Sequence, residues 1–98
     1  MLLKIHRSYR NVVALVDSSL LGKKFEEGKR QLEIKEHFFK GDEISYEQVI
    51  DVLQRQLVED ATFTIVGKES IAAAVEVGII DEGSVVMIQD VPFALKLF

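Results

Sequence analysis

The chain of 98 residues contains no cysteine and only one proline. Without cysteine there is no disulfide, no thiolate nucleophile and no cysteine-ligated zinc, which excludes the protein classes that depend on them. A composition free of cysteine is also typical of intracellular proteins. Because no linker rich in proline or serine interrupts the sequence and no repeat is visible, we predict a single domain over residues 1–98.

Long apolar runs are missing as well. The longest ones, residues 12–16 and 71–75, are much shorter than the roughly 20 apolar residues of a membrane span. At the start of the chain, Lys4 and Arg7 interrupt the apolar residues too early for a signal peptide. The content of 48% hydrophobic and 29% charged residues argues against disorder. We therefore expect a folded cytoplasmic protein with no membrane partner.

Positive charge is scarce in the second part of the chain. Residues 41–98 carry three basic and eleven acidic residues, whereas residues 1–40 carry nine basic and five acidic ones. The formal net charge of −4 therefore conceals a basic first part. Because local potential guides a charged ligand more than net charge does, this asymmetry favours a polyanionic partner for the first part. Solvated helix faces and helix caps account for most of the acidic residues.

The apolar pattern predicts an α+β fold, a two-layer sandwich in which a mixed sheet of four to six strands carries two helices on one face. Strands are predicted at residues 2–6, 12–17, 29–38, 61–66, 84–89 and 93–97. The first three are expected to form an antiparallel meander. Alternation along residues 29–38 predicts a face open to solvent. That face contains Lys29, Gln31, Glu33, Lys35 and His37, and Lys4 and His6 join it if the first strand lies alongside.

Capping signals at the start of one segment and at the end of another predict two helices. Ser45 and Gln48 have the spacing of a capping box, and Ile44 and Val49 that of a hydrophobic staple. The core-facing stripe of this helix is predicted to be Tyr46, Val49, Ile50, Leu53 and Leu57. A second helix over residues 68–77 is expected to end at Gly78 in the left-handed conformation. The strand, helix and strand over residues 61–89 are long enough for a right-handed parallel crossover.

Two basic segments are candidate binding sites. The first combines cations with an aromatic ring, a mixture that suits phosphate contact and base stacking; it comprises Lys4, His6, Arg7, Tyr9 and Arg10, with Lys35 if that residue shares their face. The alternative is an edge strand and turn whose charges prevent aggregation. Glu33 and the lack of stacking aromatics on the predicted strands weaken the comparison with an RNA-recognition sheet.

The second candidate is the segment from Gly22 to Gly28, which we predict to be a structured connecting loop. Its glycines permit tight turns, and Lys23 and Lys24 can present positive charge to an anion. The competing interpretation is a single helical turn whose glutamates cancel much of that field. The apolar tail, residues 91–98, is predicted to be buried as an edge strand, the alternative being an exposed dimer or partner contact.

No motif for catalysis, a cofactor or a metal is found. The sequence around Lys68 lacks the glycine at position 62 and the serine or threonine at position 69 that a phosphate-binding loop requires. His6 and His37 do not have metal-ligand spacing. No Gly-x-Ser-x-Gly sequence marks a nucleophile. We therefore expect a protein that is not an enzyme and has no cofactor.

Several blocks of sequence resemble a small archaeal family known only as a domain of unknown function, number four-two-four. The blocks are residues 4–9, 21–28, 34–41 and 59–67, followed by the helix that ends at Gly78. The resemblance implies an archaeal cytoplasmic protein with a compact two-layer α/β fold, and it brings no activity, cofactor or catalytic residue. The association of that family with translation genes favours a role linked to RNA or the ribosome.

Two functional hypotheses follow. In the first, the protein is an RNA- or ribonucleoprotein-binding module that uses Lys4, His6, Arg7, Tyr9, Arg10, Lys23, Lys24 and Lys35. In the second, it is a protein-interaction or assembly module whose basic part meets an acidic partner or the acidic part of another copy. Both gain support only if the fold brings the basic segments together.

Overall fold

Six strands form one mixed sheet in the computed structural model, which describes residues 1–97. In chain order the elements are β1 (Leu2–His6), β2 (Val12–Val16), β3 (Lys24–Glu27), β4 (Arg30–Glu33), α1 (Glu36–Phe39), β5 (Asp42–Glu43), α2 (Tyr46–Val58), β6 (Thr62–Val66), α3 (Lys68–Val77), β7 (Val86–Ile88) and β8 (Val91–Lys96). The sheet order is β5-β1-β2-β6-β8-β7, and β3 pairs only with β4. β2 and β6 are parallel and occupy the centre, and the apolar residues on both faces of β2 favour this position.

α2 begins where its sequence predicts, and α3 has the predicted range. Ser45 Oγ accepts a hydrogen bond from the Gln48 N–H at 3.2 Å, and Gln48 Oε1 accepts one from the Ser45 N–H at 2.9 Å. Both bonds of the capping box are therefore present. α3 ends at Gly78, whose φ of +88° is the left-handed conformation expected there. Local sequence thus determines the residue at which α2 begins and the residue at which α3 ends.

α2 and α3 pack on one face of the sheet and bury the main core. Alternate residues of β2 and β6 point into it, and α2 contributes Val49 and Leu53, both fully buried. Burying each large aliphatic side chain contributes about 1.5–3 kcal/mol. Tyr46 was expected in the same stripe, but it is exposed, and its hydroxyl donates to Glu76 Oε1 at 3.1 Å. The predicted fold class, with its mixed sheet, is confirmed.

A second apolar cluster covers part of the opposite face. It consists of Ala14, Val16, Ile34, Phe39, Val66 and Val91, with partly buried residues from β3, β4 and α1 packed around them. The β3–β4 hairpin and α1 therefore form a partial third layer over one end of this face. The other end, with Thr62, Thr64 and Leu95, is less covered. The sequence predicted a partly wet face but not the hairpin that lies across it.

The segment predicted as one strand over residues 29–38 is divided between β4 and α1, so this prediction is wrong. Its alternation holds only as far as Glu33, and a helical turn begins at Glu36. A strand would send the adjacent rings of Phe38 and Phe39 to opposite faces. The helical turn instead buries Phe39 and places Phe38 beside His6. The expected meander therefore ends after β2.

The segment between Gly22 and Gly28, predicted as a loop, contains the four-residue strand β3. Gly28 has a φ of +61° and occupies the first central position of the two-residue turn to β4. Only Phe25 of β3 packs inward, against the second cluster. One apolar residue in four is too short a pattern to distinguish a strand from a loop.

The tail was predicted to be the edge strand, and this is also wrong. β8 lies between β6 and β7, and Val91, Pro92 and Ala94 are buried. β7 occupies the edge, so the predicted crossover from β6 to β7 passes over β8. Phe98, which belongs to the predicted tail, lies outside the described residues. Across residues 1–97, no helix is long and apolar enough to cross a membrane.

Asp17, which follows β2, caps the start of α3 from another part of the chain. Its carboxylate oxygens accept hydrogen bonds from the Glu69 N–H at 3.1 Å, the Ser70 N–H at 2.9 Å and the Ser70 hydroxyl at 2.7 Å. Gly67 has a φ of +106°, and a Cβ at this position would overlap the Asp17 carboxylate. The amides that open α3 are therefore already occupied by an anion of the protein itself.

Candidate functional site

An open cleft of about 910 Å³ lies between β1 and the segment that leads into α1. The side chains around it are mostly charged, and the lining residues are Lys4, Gly22, Glu33, Ile34, Lys35, Glu36, His37 and Lys40. Three lysines and a histidine face two glutamates. The cleft is therefore positively charged although the whole chain is acidic.

A smaller concavity of about 350 Å³ extends this cleft along β1. It shares Lys4 and Lys40 with the cleft and adds Arg7. Asp42 is the one acidic residue that lines it. We call the five residues Lys4, Arg7, Lys35, His37 and Lys40 the basic surface. It joins the first basic segment of the sequence to the segment around α1.

Two buried residues, one before α1 and one at its end, leave the charged residues between them facing solvent. Ile34 is fully buried, its N–H donates to the Lys23 carbonyl at 2.9 Å, and its carbonyl accepts from the Gly22 N–H at 2.8 Å. Phe39 anchors the other end in the second cluster. Between these two anchors, Lys35 and His37 are exposed to solvent. Their positions therefore follow from the packing of Ile34 and Phe39.

Lys4 and His6 attach α1 to the sheet. Lys4 Nζ donates to the His37 carbonyl at 2.7 Å, and His6 Nε2 lies 2.9 Å from the Phe38 carbonyl. A one-turn helix leaves its last carbonyls without intrahelical partners, and these two side chains satisfy them. The His6 ring also stacks on Phe38 with ring centroids 4.6 Å apart. Because a carbonyl carries no net charge, Lys4 still contributes its full positive charge to the basic surface.

The remaining predicted residues are divided between three places. Arg7, Tyr9 and Arg10 belong to the turn between β1 and β2, where the Tyr9 side chain is fully exposed. Lys23 is exposed next to Gly22 of the cleft. Lys24 lies on the hairpin, where its Nζ is 3.2 Å from Glu26 Oε1. The structure thus brings together Lys4, Arg7 and Lys35, with His6 behind them, but it does not bring Lys24 to the same surface.

Lys40 was missed as a site residue by sequence reasoning, and His37 was placed only on the wet face of a strand. A signal for Lys40 was present in the next residue, Gly41. A Cβ at Gly41 would overlap the backbone of Leu3, so glycine is required where the end of α1 approaches β1. This close approach carries Lys40 to the side of Lys4.

An apolar slot of about 300 Å³ adjoins the cleft and shares Glu33 and Lys35 with it. The slot lies where the third layer ends and the sheet face becomes accessible; its other lining residues are Leu32, Phe38, Phe39, Thr64, Val66, Phe93 and Leu95. Leu95 is 56% exposed despite its position in an interior strand. The site therefore combines a cationic cleft with a contiguous apolar slot.

Two ionisable groups with shifted pKa values lie outside this site. Hydrogen bonds from the Met1 amino group at 2.6 Å and the Ser18 hydroxyl at 2.5 Å hold the pKa of Glu43 below its usual value. Partial desolvation raises the pKa of Tyr46, and the hydrogen bond to Glu76 raises it further. Nowhere between residues 1 and 97 do three or more His, Asp or Glu side chains come together as a metal site requires.

A family model described as "Protein of unknown function (DUF424)" matches residues 6–97. The crystal structure of an uncharacterized conserved protein from Methanopyrus kandleri is similar to this chain, with a TM-score of 0.85 and 24% sequence identity. The similarity covers 96% of this chain and 87% of that chain. At this identity it shows a shared fold and no more. Among proteins with curated descriptions, none matches the chain.

Proposed function

The chain belongs to the DUF424 family of proteins of unknown function, and from that premise we propose that it is a binding protein whose basic surface holds the phosphate backbone of RNA. The observation that carries the proposal is the convergence of Lys4, Arg7, Lys35 and Lys40 on contiguous concavities. An acidic protein that collects cations in one concave place has a local potential suited to a polyanion.

The charges of the basic surface are available to a ligand. Among the described residues, the ion pairs of Met1, Lys24 and Arg55 do not involve the basic surface. No described carboxylate forms an ion pair with Lys35 or Lys40. Lysines that replace the counterions condensed on a phosphate chain give an affinity that depends strongly on salt.

The turn that follows β1 favours a nucleic acid over polyanions that carry no bases. It carries a fully exposed ring, Tyr9, between Arg7 and Arg10. An exposed aromatic beside cations stacks on unpaired bases and gains nothing from a polyanion without bases. In this proposal the basic surface positions the backbone, and Tyr9 contacts a base at its end.

Fluorescence anisotropy with a labelled oligouridylate tests the proposal. We expect K35Q/K40Q to lower the affinity about tenfold, and the slope of log K against log salt to fall by about 1.4 because two phosphate contacts are lost. The matched control is K68Q/K96Q, which removes the same charge from the start of α3 and from the helix side of the sheet. Equal effects of the two double variants, or no binding at low salt, would contradict the proposal.

A second candidate function is an assembly module, favoured by the acidic outer face of α2. Glu47 and Asp51 are exposed there, and Glu59 and Asp60 continue that acidic surface past the end of the helix. The basic surface of one copy would then meet α2 of another copy. Sedimentation of the chain alone distinguishes the candidates: self-association that rises with concentration and is abolished by K35Q/K40Q supports assembly, whereas a monomer at all concentrations excludes it.

A further inference from the structure

We propose that the apolar slot receives one unstacked base of single-stranded RNA, so that the protein prefers single strands to duplexes. This inference rests on the proposed binding of the RNA backbone at the basic surface, and it names the form of RNA that the site recognises. The slot was not part of any sequence-based expectation.

The first argument is continuity between the two concavities. Glu33 and Lys35 line both the cleft and the slot. A phosphate held at Lys35 therefore places the base of the same nucleotide at the entrance of the slot. The slot volume of about 300 Å³ lies at the lower end of the range of small-ligand sites, as a single base requires.

The second argument is the chemistry of the slot walls. Phe38, one face of which is stacked on His6, and Phe93 are partly exposed rings, and Leu95 adds an exposed aliphatic surface. Flat apolar walls of this kind accept the face of a base. Glu33 and Thr64 place a carboxylate and a hydroxyl in the same lining, where they can pair with the polar edge of a base. The slot thus offers contacts to both the face and the edge of a base.

The third argument concerns which occupant fits. An apolar side chain of a protein partner would fill the slot but would not require the adjoining lysines. A duplex would satisfy the lysines, but its bases are stacked and paired, and the deep groove of A-form RNA does not present them. A single strand alone brings an accessible base together with a phosphate.

Three RNA ligands of equal length test the inference: an oligouridylate, a duplex and an abasic strand. We expect the oligouridylate to bind about tenfold more tightly than the abasic strand, because only the former places a base in the slot and another against Tyr9. Substitution of a slot residue separates the two contacts. Leu95→Ser is expected to lower the affinity for oligouridylate about fivefold and to leave the affinity for the abasic strand unchanged.

Leu97→Ser is the matched control, since Leu97 is 71% exposed and lines a different concavity with Leu57 and Lys96. It should leave all three affinities unchanged. Thr64→Leu, which fills the slot from a central strand, provides a second variant if Leu95→Ser does not fold. It should likewise reduce the preference for oligouridylate over the abasic strand.

The outcomes separate this inference from the proposed function. Equal affinities for the oligouridylate and the abasic strand, with no effect of Leu95→Ser, overturn the slot and leave backbone binding intact. A duplex that binds as tightly as the oligouridylate also overturns it. Failure of all three ligands to bind at low salt overturns both proposals together.

Discussion

Lys4 and His6 show how one side chain serves the fold and the candidate site together. Their hydrogen-bond partners, the carbonyls of His37 and Phe38, lie 33 and 32 residues further along the chain. The sequence identifies both residues as basic and near a turn, so it predicts a binding role. It cannot predict the carbonyls, because those are exposed only once residues 36–39 become a single helical turn.

At the residue scale, Lys4 and Lys35 should behave differently when each is changed to glutamine. Lys4→Gln is expected to lower the free energy of unfolding by about 1 kcal/mol, because it weakens the bond to the His37 carbonyl. Lys35→Gln removes the same charge from an exposed position and should leave stability unchanged. Urea unfolding of both variants measures the difference, and equal losses would show that Lys4 does not attach α1.

Glu43 should make stability depend on pH. Its pKa is lowered in the folded state by the Met1 amino group and the Ser18 hydroxyl. A lowered folded pKa stabilises the protein above the unfolded pKa, and this stabilisation is lost as the pH falls through the folded value. We expect Glu43→Gln to be less stable than the parent near neutrality and equally stable in acid. A difference that persists in acid, measured by denaturant unfolding across pH, would contradict this account.

At the scale of elements, a helix could be predicted where residues at its start or end carry a recognisable capping signal. The range of α3 and the range of β1 match the sequence predictions, and α2 begins at its capping box. α1 could not be predicted, because four residues carry no periodicity and its formation depends on distant packing of Phe39. The site depends on α1, so the fold class was more predictable than the site.

The two long helices end in the same left-handed conformation but with different residues. Gly78 follows α3 with a φ of +88°, whereas Asp60 follows α2 with a φ of +60°. The left-handed conformation costs a residue with a Cβ about 1–2 kcal/mol. We therefore expect Gly78→Ala to destabilise the protein by about 1 kcal/mol. Asp60→Gly should change stability by less, because relief of the left-handed conformation is offset by the greater freedom of glycine in the unfolded chain. A larger effect of Asp60→Gly than of Gly78→Ala in urea unfolding would contradict this comparison.

At the scale of the whole molecule, the charge asymmetry of the sequence becomes a separation across the sheet. The acidic face of α2 and the basic surface lie on opposite sides of the sheet. Interactions between exposed charges that lie further apart than the Debye length, about 8 Å at physiological salt, are largely screened. The acidic residues of α2 therefore oppose the basic surface less than Glu33 and Glu36, which line the cleft itself. The charge imbalance can be counted along the sequence, whereas the convergence of the basic residues depends on the close approach of α1 to β1.

Ligand binding by the folded state should raise the thermal stability of the whole protein. At a ligand concentration near 100 times Kd, binding adds about 2.7 kcal/mol to the free energy of unfolding. At that concentration, oligouridylate should therefore raise the Tm of the parent by several degrees. The Tm of K35Q/K40Q, which is expected to bind about tenfold more weakly, should rise by about half as much. An equal rise in both, measured by calorimetry, would show that RNA binds elsewhere.

The cap of α3 by Asp17 amounts to a covalently tethered ligand held at high effective concentration. Asp17→Gly removes this carboxylate, so the amides of Glu69 and Ser70 and the Ser70 hydroxyl lose their hydrogen-bond partner together. A small carboxylate such as formate should then restore stability to this variant and have no effect on the parent chain. Complementation by an added ion would show that the junction of β2 with α3 is assembled around a negative charge, whichever molecule supplies it.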